Sequence, residues 1–201
     1  MRFFTPLAGL ARGEVTVTAH ESALHRPMAE MIRSLRELGV DIDDGGRWML
    51  PFLVHGHGHV RGGEVTIDAS ASSQFVSGLL LAAPRFDVGL RLVHEGRRLP
   101  SLPHIDMTVE ALARRGVHVE RPSEREWLVP AGPLRGKELT IEPDLSNAAP
   151  FLAAAVLTGG RVSIPHWPVH STQPGIEALQ FNLMRRVLTI RHRPEALEPA
   201  L

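Results

Sequence analysis

The pattern of hydrophobic and polar positions is repeated along the chain. Apolar residues at a 3.6-residue period predict an amphipathic helix over residues 28–38, and a similar spacing predicts another over residues 105–112. Gly39 and Gly116 follow these segments, as glycines commonly do where a helix ends. The two segments align at an offset of 77 residues (104 against 27), so a unit of about that length is expected to occur twice.

Short strands and an apolar helix follow in each unit. The predicted strands are residues 40–43, 47–50, 64–68 and 88–94 in the first unit, and residues 117–120, 126–129, 138–142 and 160–166 in the second. Residues 75–83 and 151–157 are apolar all round, which predicts helices that are buried on every side. The predicted fold class is therefore α/β, with repeated βαβαββ-type units whose buried helices are walled by sheets.

The two ends of the chain resemble incomplete units. Residues 1–21 are typical of an apolar helix with a closing strand, and residues 171–186 of the first helix of a further unit. The chain is therefore expected to be a fragment that begins inside one unit and ends inside another.

The composition argues against several classes of function. The 201 residues include 22 basic and 22 acidic side chains, so the charge balance gives no indication of nucleic-acid or membrane binding. There is no cysteine, which excludes disulfides, thiolate metal sites and cysteine nucleophiles. No apolar run approaches the roughly 20 residues of a membrane helix. A cytoplasmic protein is expected.

One segment is a candidate metal site, and it is a weak one. Residues 55–59 carry three histidines at alternate positions, which would share one face of a strand. Glycines separate them and favour a turn, and no carboxylate motif accompanies them, so no metal is expected. The sequence also has neither a phosphate-binding loop motif nor a dinucleotide-binding glycine motif.

Ser72, Ser73 and Gln74 stand where a predicted strand gives way to the buried helix of the first unit. A helix N-terminus presents unpaired N–H groups and a partial positive charge, so it is suited to bind an anion. The alternative is that these serines only cap the helix. Residues 144–147 provide a similar set of polar side chains at the same turn of the second unit, and capping would explain both.

Two further residues are candidates for anion recognition. Ser101 lies between two prolines, where a serine can bind a ligand or simply form a turn. Arg26 precedes Pro27 at the start of a predicted helix, a place that the helix dipole makes unfavourable for a cation. Its guanidinium suits a carboxylate or a phosphate, and the alternative is a solvated surface arginine.

These motifs, taken in order, resemble the middle of the 5-enolpyruvylshikimate-3-phosphate synthases. The similar segments are residues 26–28, 68–84, 99–112, 142–160 and 167–174. The resemblance extends over residues 1 to about 175, and it would correspond to about the middle half of a family enzyme. In that family two lobes each contain three such units. The resemblance implies that residues 1–140 form most of the first lobe and residues 141–201 a truncated part of the second.

The resemblance also implies a reaction, its substrates and its binding residues. The family transfers the enolpyruvyl group of phosphoenolpyruvate to the 5-hydroxyl of shikimate 3-phosphate and releases phosphate, without metal or organic cofactor. By resemblance, shikimate 3-phosphate is bound by Ser72, Ser73, Gln74 and Ser101, and phosphoenolpyruvate by Arg26 and Gln74.

Some features depart from the family pattern or lie outside it. His104 stands where some members have tyrosine, and Arg2 matches a family arginine although the usual preceding Gly-Thr pair is absent. The acid–base residues of the family belong to segments outside this sequence, so the isolated fragment is expected to be inactive. Family members are usually monomers, and monomeric behaviour is expected here too.

Two other functions remain open. The related UDP-N-acetylglucosamine enolpyruvyl transferases share the architecture, but they typically use a loop cysteine that this sequence lacks. The other alternative is not an enzyme: the chain would be a non-catalytic remnant or a ligand-binding module.

Overall fold

The structure is a computed structural model that describes residues 1–167, Ser171, Gln173 and two short strands at residues 181–182 and 187–190. The α-helices are α1 Thr5–Gly9, α2 Glu21–Leu24, α3 Ala29–Glu37, α4 Gln74–Ala82, α5 Leu102–Ala113 and α6 Leu145–Thr158. The strands are β1 Arg12–Val17, β2 Asp41–Asp43, β3 Phe52–His57, β4 Gly63–Ile67, β5 Leu90–His94, β6 Glu120–Ser123, β7 Glu126–Val129, β8 Val162–Ile164, β9 Phe181–Asn182 and β10 Val187–Ile190. The chain divides into two compact units, Met1–Lys137 and Glu138–Leu201.

The first unit contains two sheets. One is antiparallel in the order β1-β3-β2, and the other has the order β4-β5-β7-β6. In the second sheet β4 and β5 run parallel, with Ile67 opposite His94 at their carboxyl ends. Because parallel strands end at the same edge of a sheet, the loops that follow β4 and β5 emerge side by side.

Helix α4 is the central element of this unit. Its residues are apolar on nearly every face, and among them Phe75, Val76, Leu79 and Leu80 are almost completely buried. Neighbouring elements pack around it, including α1 and α5. The helix ends where Pro84, which has no N–H to donate, leads into a short 3-10 turn. The predicted helix over residues 75–83 and its burial on every side are confirmed.

Close packing against α4 also fixes the start of the chain. A Cβ atom on Gly78 would lie only 2.6 Å from the carbonyl oxygen of Arg2 and 3.2 Å from the Met31 side chain. The absence of a side chain at Gly78 therefore lets the N-terminal segment run directly along the helix.

The second unit is organised differently. Helix α6 packs against β8 and β10, which belong to a sheet of order β8-β10-β9. Leu152 and Ala155 are buried, but Phe151 is 65% exposed and Leu157 is 82% exposed. The prediction that this helix is buried on every side is wrong, because the described elements of the unit cover one face of it.

Several predicted strands need correction. Residues 47–50 form a bend with Trp48 in the left-handed region (φ 56°), which no strand accommodates, and the strand begins instead at Phe52, after Pro51. Of residues 117–120 only Glu120 is in a strand. Residues 138–142 pair with no strand within the described part of the chain, and Ile141 is exposed. Strand formation requires a partner, and the local sequence does not show whether one is present.

Most of the remaining predicted elements are present. Helices near 28–38 and 105–112 and strands near 40–43, 64–68, 88–94, 126–129 and 160–166 are present, as are the helix and strand within residues 1–21. Most of the predicted helix over residues 171–186 lies outside the described residues, and its described residues 181–182 are in a strand.

Candidate anion-binding site

The N-terminus of α4 carries three polar side chains, and the structure shows how each is used. The Ser72 hydroxyl oxygen accepts the backbone N–H of Gln74 at 3.3 Å, so Ser72 partly caps the helix. Ser73 is the N-cap residue by position, but its side chain makes no capping hydrogen bond. Capping therefore explains Ser72 only in part and does not explain Ser73, which lines a cavity.

Ser101 lies at the N-terminus of α5 in an unusual conformation. Its backbone is left-handed, with φ 55° and ψ 48°, and its side chain does not cap the helix. A residue other than glycine in this region is strained by about 1 kcal/mol or more. Ser101 lines the same cavity as Ser73.

The cavity between these helix ends has a volume of about 660 Å³, which is within the range for small-molecule sites. Its wall includes Ser72, Ser73, Gln74 and Ser101, together with His104 one turn into α5. Two helix N-termini meet here, and each carries roughly half a positive charge. The mouth of the cavity therefore favours an anion.

Deeper in the same cavity lies a pair of hydroxyl groups that sequence reasoning missed. The Thr108 Oγ1 lies 2.9 Å from Ser77 Oγ and 3.0 Å from the carbonyl oxygen of His104. Both residues are buried between α4 and α5. In the sequence they occupy ordinary helix positions, and only the packing of the two helices brings them together.

Arg2 is tied to the α4 end of the site by several contacts. Its guanidinium donates to Ser72 Oγ at 3.0 Å and to Gln74 Oε1 at 3.2 Å. It also donates to the Pro27 carbonyl at 3.1 Å and lies 4.6 Å from the centre of the Phe75 ring. Partial burial, and secondly the positive charge of Arg26, lower the pKa of Arg2 from its ordinary value. Two arginines close enough to repel each other indicate a place where an anion would relieve the repulsion.

Arg26 itself is exposed and does not line the cavity. Its backbone N–H bonds to the Ala23 carbonyl at 3.2 Å, just before the chain turns at Pro27. Of the five residues singled out in the sequence, the structure thus gathers Ser72, Ser73, Gln74 and Ser101 in one cavity wall. It leaves Arg26 outside that wall, within electrostatic reach of Arg2.

Other site classes find little support in the described residues. No cluster of three or more histidine, aspartate or glutamate side chains there could hold a metal ion. His55 and His59 instead approach Glu14 at 3.5 Å and Asp87 at 3.0 Å. Within the same part of the chain, no helix is long and apolar enough to cross a bilayer.

The family relationship agrees with this geometry. The model of the EPSP synthase (3-phosphoshikimate 1-carboxyvinyltransferase) family matches residues 1–197, and the chain therefore belongs to this family. The resemblance recognised in the sequence motifs is confirmed.

Individual relatives carry the same name. A 3-phosphoshikimate 1-carboxyvinyltransferase of Kocuria rhizophila is 56% identical over 176 residues, which cover 87% of this chain and 40% of the relative. One of Mycobacterium ulcerans is 48% identical over 198 residues, covering 98% of this chain and 45% of the relative. The chain thus spans less than half the length of these curated relatives.

A solved structure supports the fold class. The EPSP synthase of Acinetobacter baumannii matches with a TM-score of 0.67 and 22% identity, over 95% of this chain and 45% of that one. At this identity the likeness shows the fold alone, and it confirms both the α/β class predicted from the repeats and the enolpyruvyl transferase fold that the resemblance implied.

Proposed function

We propose that this chain forms the shikimate 3-phosphate-binding wall of an enolpyruvyl transferase. The reaction transfers the enolpyruvyl group of phosphoenolpyruvate to the 5-hydroxyl of shikimate 3-phosphate and releases phosphate. The observation that carries this proposal is the convergence of Ser72, Ser73, Gln74 and Ser101 on one cavity.

The chemistry of the cavity mouth suits a phosphate monoester. A phosphate dianion needs several donors, and hydrogen bonds to a charged acceptor are stronger than neutral ones. The Ser73 and Ser101 hydroxyls are such donors, because neither is used to cap its helix. The Gln74 amide and the buried Ser77–Thr108 pair offer partners for ring hydroxyls.

The second substrate is assigned to the arginine side of the site. Phosphoenolpyruvate carries a carboxylate and a phosphate, and a guanidinium binds either group with two parallel hydrogen bonds. Arg26 is exposed, its positive charge acts on Arg2, and Arg2 donates a hydrogen bond to Gln74. Arg26 and Gln74 are therefore proposed to bind phosphoenolpyruvate, with Arg2 orienting Gln74.

These residues bind and orient the substrates and do not transfer protons. The reaction must protonate the methylene carbon of phosphoenolpyruvate, deprotonate the attacking hydroxyl and then eliminate phosphate from the tetrahedral adduct. By family resemblance the acid–base groups for these steps lie outside the 201 residues. The isolated chain is therefore expected to bind shikimate 3-phosphate without turning it over. We also propose that the chain is monomeric and located in the cytoplasm.

The direct test is calorimetric titration of the purified chain with shikimate 3-phosphate. Shikimate and UDP-N-acetylglucosamine serve as comparison ligands. Saturable binding of shikimate 3-phosphate, with shikimate at least tenfold weaker because it lacks the phosphate, is the expected result. A preference for UDP-N-acetylglucosamine would favour membership of the related transferase family. If none of the three ligands binds, the chain is better explained as a remnant that has no ligand.

A pair of serine variants tests the placement of the site. Ser101→Ala removes a hydroxyl proposed to contact the phosphate, and a hydrogen bond to a charged group contributes about 1.5–3 kcal/mol. The dissociation constant should therefore rise about 10- to 100-fold. Ser163→Ala alters an exposed serine of β8 in the second unit and should leave binding unchanged. Equal effects of the two variants would contradict the proposed site.

A further inference from the structure

His94 lies between the two loops that carry the candidate site, although it does not line the cavity. It is the last residue of β5, pairs with Ile67 at the end of β4 and is 1% exposed. The loop after β4 leads to Ser72, and the loop after β5 leads to Ser101. A buried polar side chain at the point where these loops diverge must satisfy its hydrogen bonds within the protein.

The imidazole makes one hydrogen bond to each loop. Its Nδ1 accepts the backbone N–H of Ala69 at 3.1 Å, and its Nε2 lies 3.2 Å from the carbonyl oxygen of Arg98. Ala69 and Arg98 each come three residues before a serine of the site, Ser72 and Ser101 respectively. The side chain therefore joins the two loops at corresponding positions.

These two partners select one tautomer of the neutral ring. A backbone N–H can only donate, so Nδ1 must carry no proton, and a carbonyl can only accept, so Nε2 must carry one. The neutral Nε2–H tautomer satisfies both contacts. The other neutral tautomer satisfies neither contact. In the imidazolium ion the Nδ1–H would face the Ala69 N–H, and two donors cannot form a hydrogen bond with each other.

The surroundings hold the β5 loop in place around His94. Gly96 packs so tightly that a Cβ atom there would overlap the side-chain oxygens of Asp68 and Ser70 in the β4 loop. On the other side, the Arg125 guanidinium donates to the carbonyl oxygens of Gly96 at 3.2 Å and Arg97 at 3.4 Å. The two loops thus touch directly, and the ring of His94 is a buried side-chain connection between them, in addition to the backbone hydrogen bond from the Glu95 N–H to the Ile67 carbonyl at 3.1 Å.

The geometry points to His94 as a positioning residue that sets the distance between the α4 end of the site and Ser101. Through it the Ser72–Ser73 turn and the Ser101 hydroxyl reach the same phosphate group at once. The inference rests on the proposed function for the identity of that ligand, and on the hydrogen bonds alone for the connection itself.

Binding of shikimate 3-phosphate by the full chain tests the role in the site. His94→Phe keeps a ring of similar volume and removes both hydrogen bonds, and it should weaken binding at least tenfold. His94→Asn retains an acceptor directed at Ala69 and should restore part of the affinity. Leu35→Ala, at a buried position of α3, is the control for lost stability and should bind within twofold of the unchanged chain.

Two results would overturn the role in binding. One is His94→Phe binding within twofold of the unchanged chain. The other is Leu35→Ala weakening binding as much as His94→Phe at an equal loss of stability. Should His94→Phe fail to fold, comparison of His94→Asn with Leu35→Ala decides by the same criterion.

Nuclear magnetic resonance tests the connection without any ligand. The ring nitrogens of His94 in the unchanged chain should show a protonated Nε2 and an unprotonated Nδ1, and His94→Phe should shift the amide signals of both Ser72 and Ser101. A protonated Nδ1, or shifts confined to one loop, would refute the connection. If the unchanged chain does not bind shikimate 3-phosphate, the proposed function fails, and these measurements still decide whether His94 positions the loops.

Discussion

The second helix of each repeat, α4 in the first and α6 in the second, begins differently. The two helices differ in the group that stands at the N-terminus. In the second repeat the Asp144 carboxylate accepts the N–H groups of Ser146 at 2.7 Å and Asn147 at 3.2 Å, so α6 is capped by its own charge. In the first repeat α4 begins with neutral side chains, and the Ser73 hydroxyl makes no capping bond. One helix end is capped by a carboxylate of the protein, whereas the other is capped only by the Ser72 hydroxyl and is the end proposed to bind an anion.

The two helix N-termini differ in their charge, although they belong to copies of the same structural unit. A carboxylate at the N-terminus stabilises a helix through its dipole and removes the positive potential that an anion would use. The α4 end forgoes that stabilisation and is flanked instead by Arg2 and the strained Ser101. The α4 end is therefore the one proposed to bind an anion.

The repeats also differ in burial. Helix α4 is enclosed by its neighbours, whereas α6 presents Phe151 and Leu157 as exposed residues. The stability of the first unit should therefore depend on α4 far more than that of the second depends on the outer face of α6.

The largest expected effect comes from this difference in burial. Leu79→Ala in α4 removes a fully buried side chain and should lower the free energy of unfolding by about 3 kcal/mol. Leu157→Ala removes an 82% exposed side chain of α6 and should change it by less than about 0.5 kcal/mol. Urea denaturation followed by circular dichroism measures both. Similar losses of unfolding free energy in the two variants would contradict the proposed difference in burial between α4 and α6.

A second effect concerns the turn that follows β2 in the first repeat. Asp44 is buried there; burial raises the pKa of its carboxyl, but hydrogen bonds from Arg36 and from the N–H groups of Trp48 and Gly46 outweigh this, so the pKa is lowered. A lowered pKa in the folded state means that the charged carboxylate stabilises the protein above the ordinary pKa of about 4, and that this is lost as pH falls through the folded value.

Asp44→Asn should therefore cost about 2 kcal/mol at pH 7, and the cost should shrink below pH 4. Urea denaturation over a pH series gives the difference. Asp41→Asn, at an exposed position of β2, is the control and should stay within about 0.5 kcal/mol of the unchanged chain. A cost that does not vary with pH would show that the charge of Asp44 is unimportant.

A third variant converts the open helix end into the closed one. Ser72→Asp places a carboxylate beside the Gln74 N–H and the Arg2 guanidinium, as Asp144 does for α6. Binding of shikimate 3-phosphate should fall at least tenfold, about 1.4 kcal/mol, while the thermal stability is kept or raised. The matched control is Ser163→Asp on β8. Unchanged binding in Ser72→Asp would disprove the assignment of the anion to the α4 end.

The smallest effect is expected from opening the closed end. Asp144→Ala removes the cap of α6 and should cost about 1 kcal/mol of stability, the usual effect of losing an N-cap carboxylate. The affinity for shikimate 3-phosphate should not change, and calorimetry of the same sample measures it. A loss of affinity in this variant would mean that α6 takes part in the site.

The features that the sequence predicted well are local ones. The apolar run over residues 75–83 specifies a buried helix, and the polar residues just before it specify what stands at its N-terminus. Gly39 and Gly116 both have positive φ, as expected where a helix ends. Such features depend on a few neighbouring residues.

The features that the sequence could not predict depend on partners far along the chain. Residues 138–142 resemble strand β4 in composition, yet β4 is a strand because β5 pairs with it. The meeting of Ser77 with Thr108 arises from the packing of α4 and α5, and nothing in the residues around Ser101 indicates its left-handed backbone. Arg2 reaches Ser72 only because Gly78 lets the start of the chain approach α4.

The central claim is that an anion binds at the α4 end of the first repeat and not at the α6 end of the second. Titration of the isotopically labelled chain with shikimate 3-phosphate, followed through backbone amide signals, compares the two ends in one experiment. The predicted result is saturable shifts at residues 72–75 and 101–104, with residues 145–147 unchanged. Equal or larger shifts at residues 145–147 would contradict the claim.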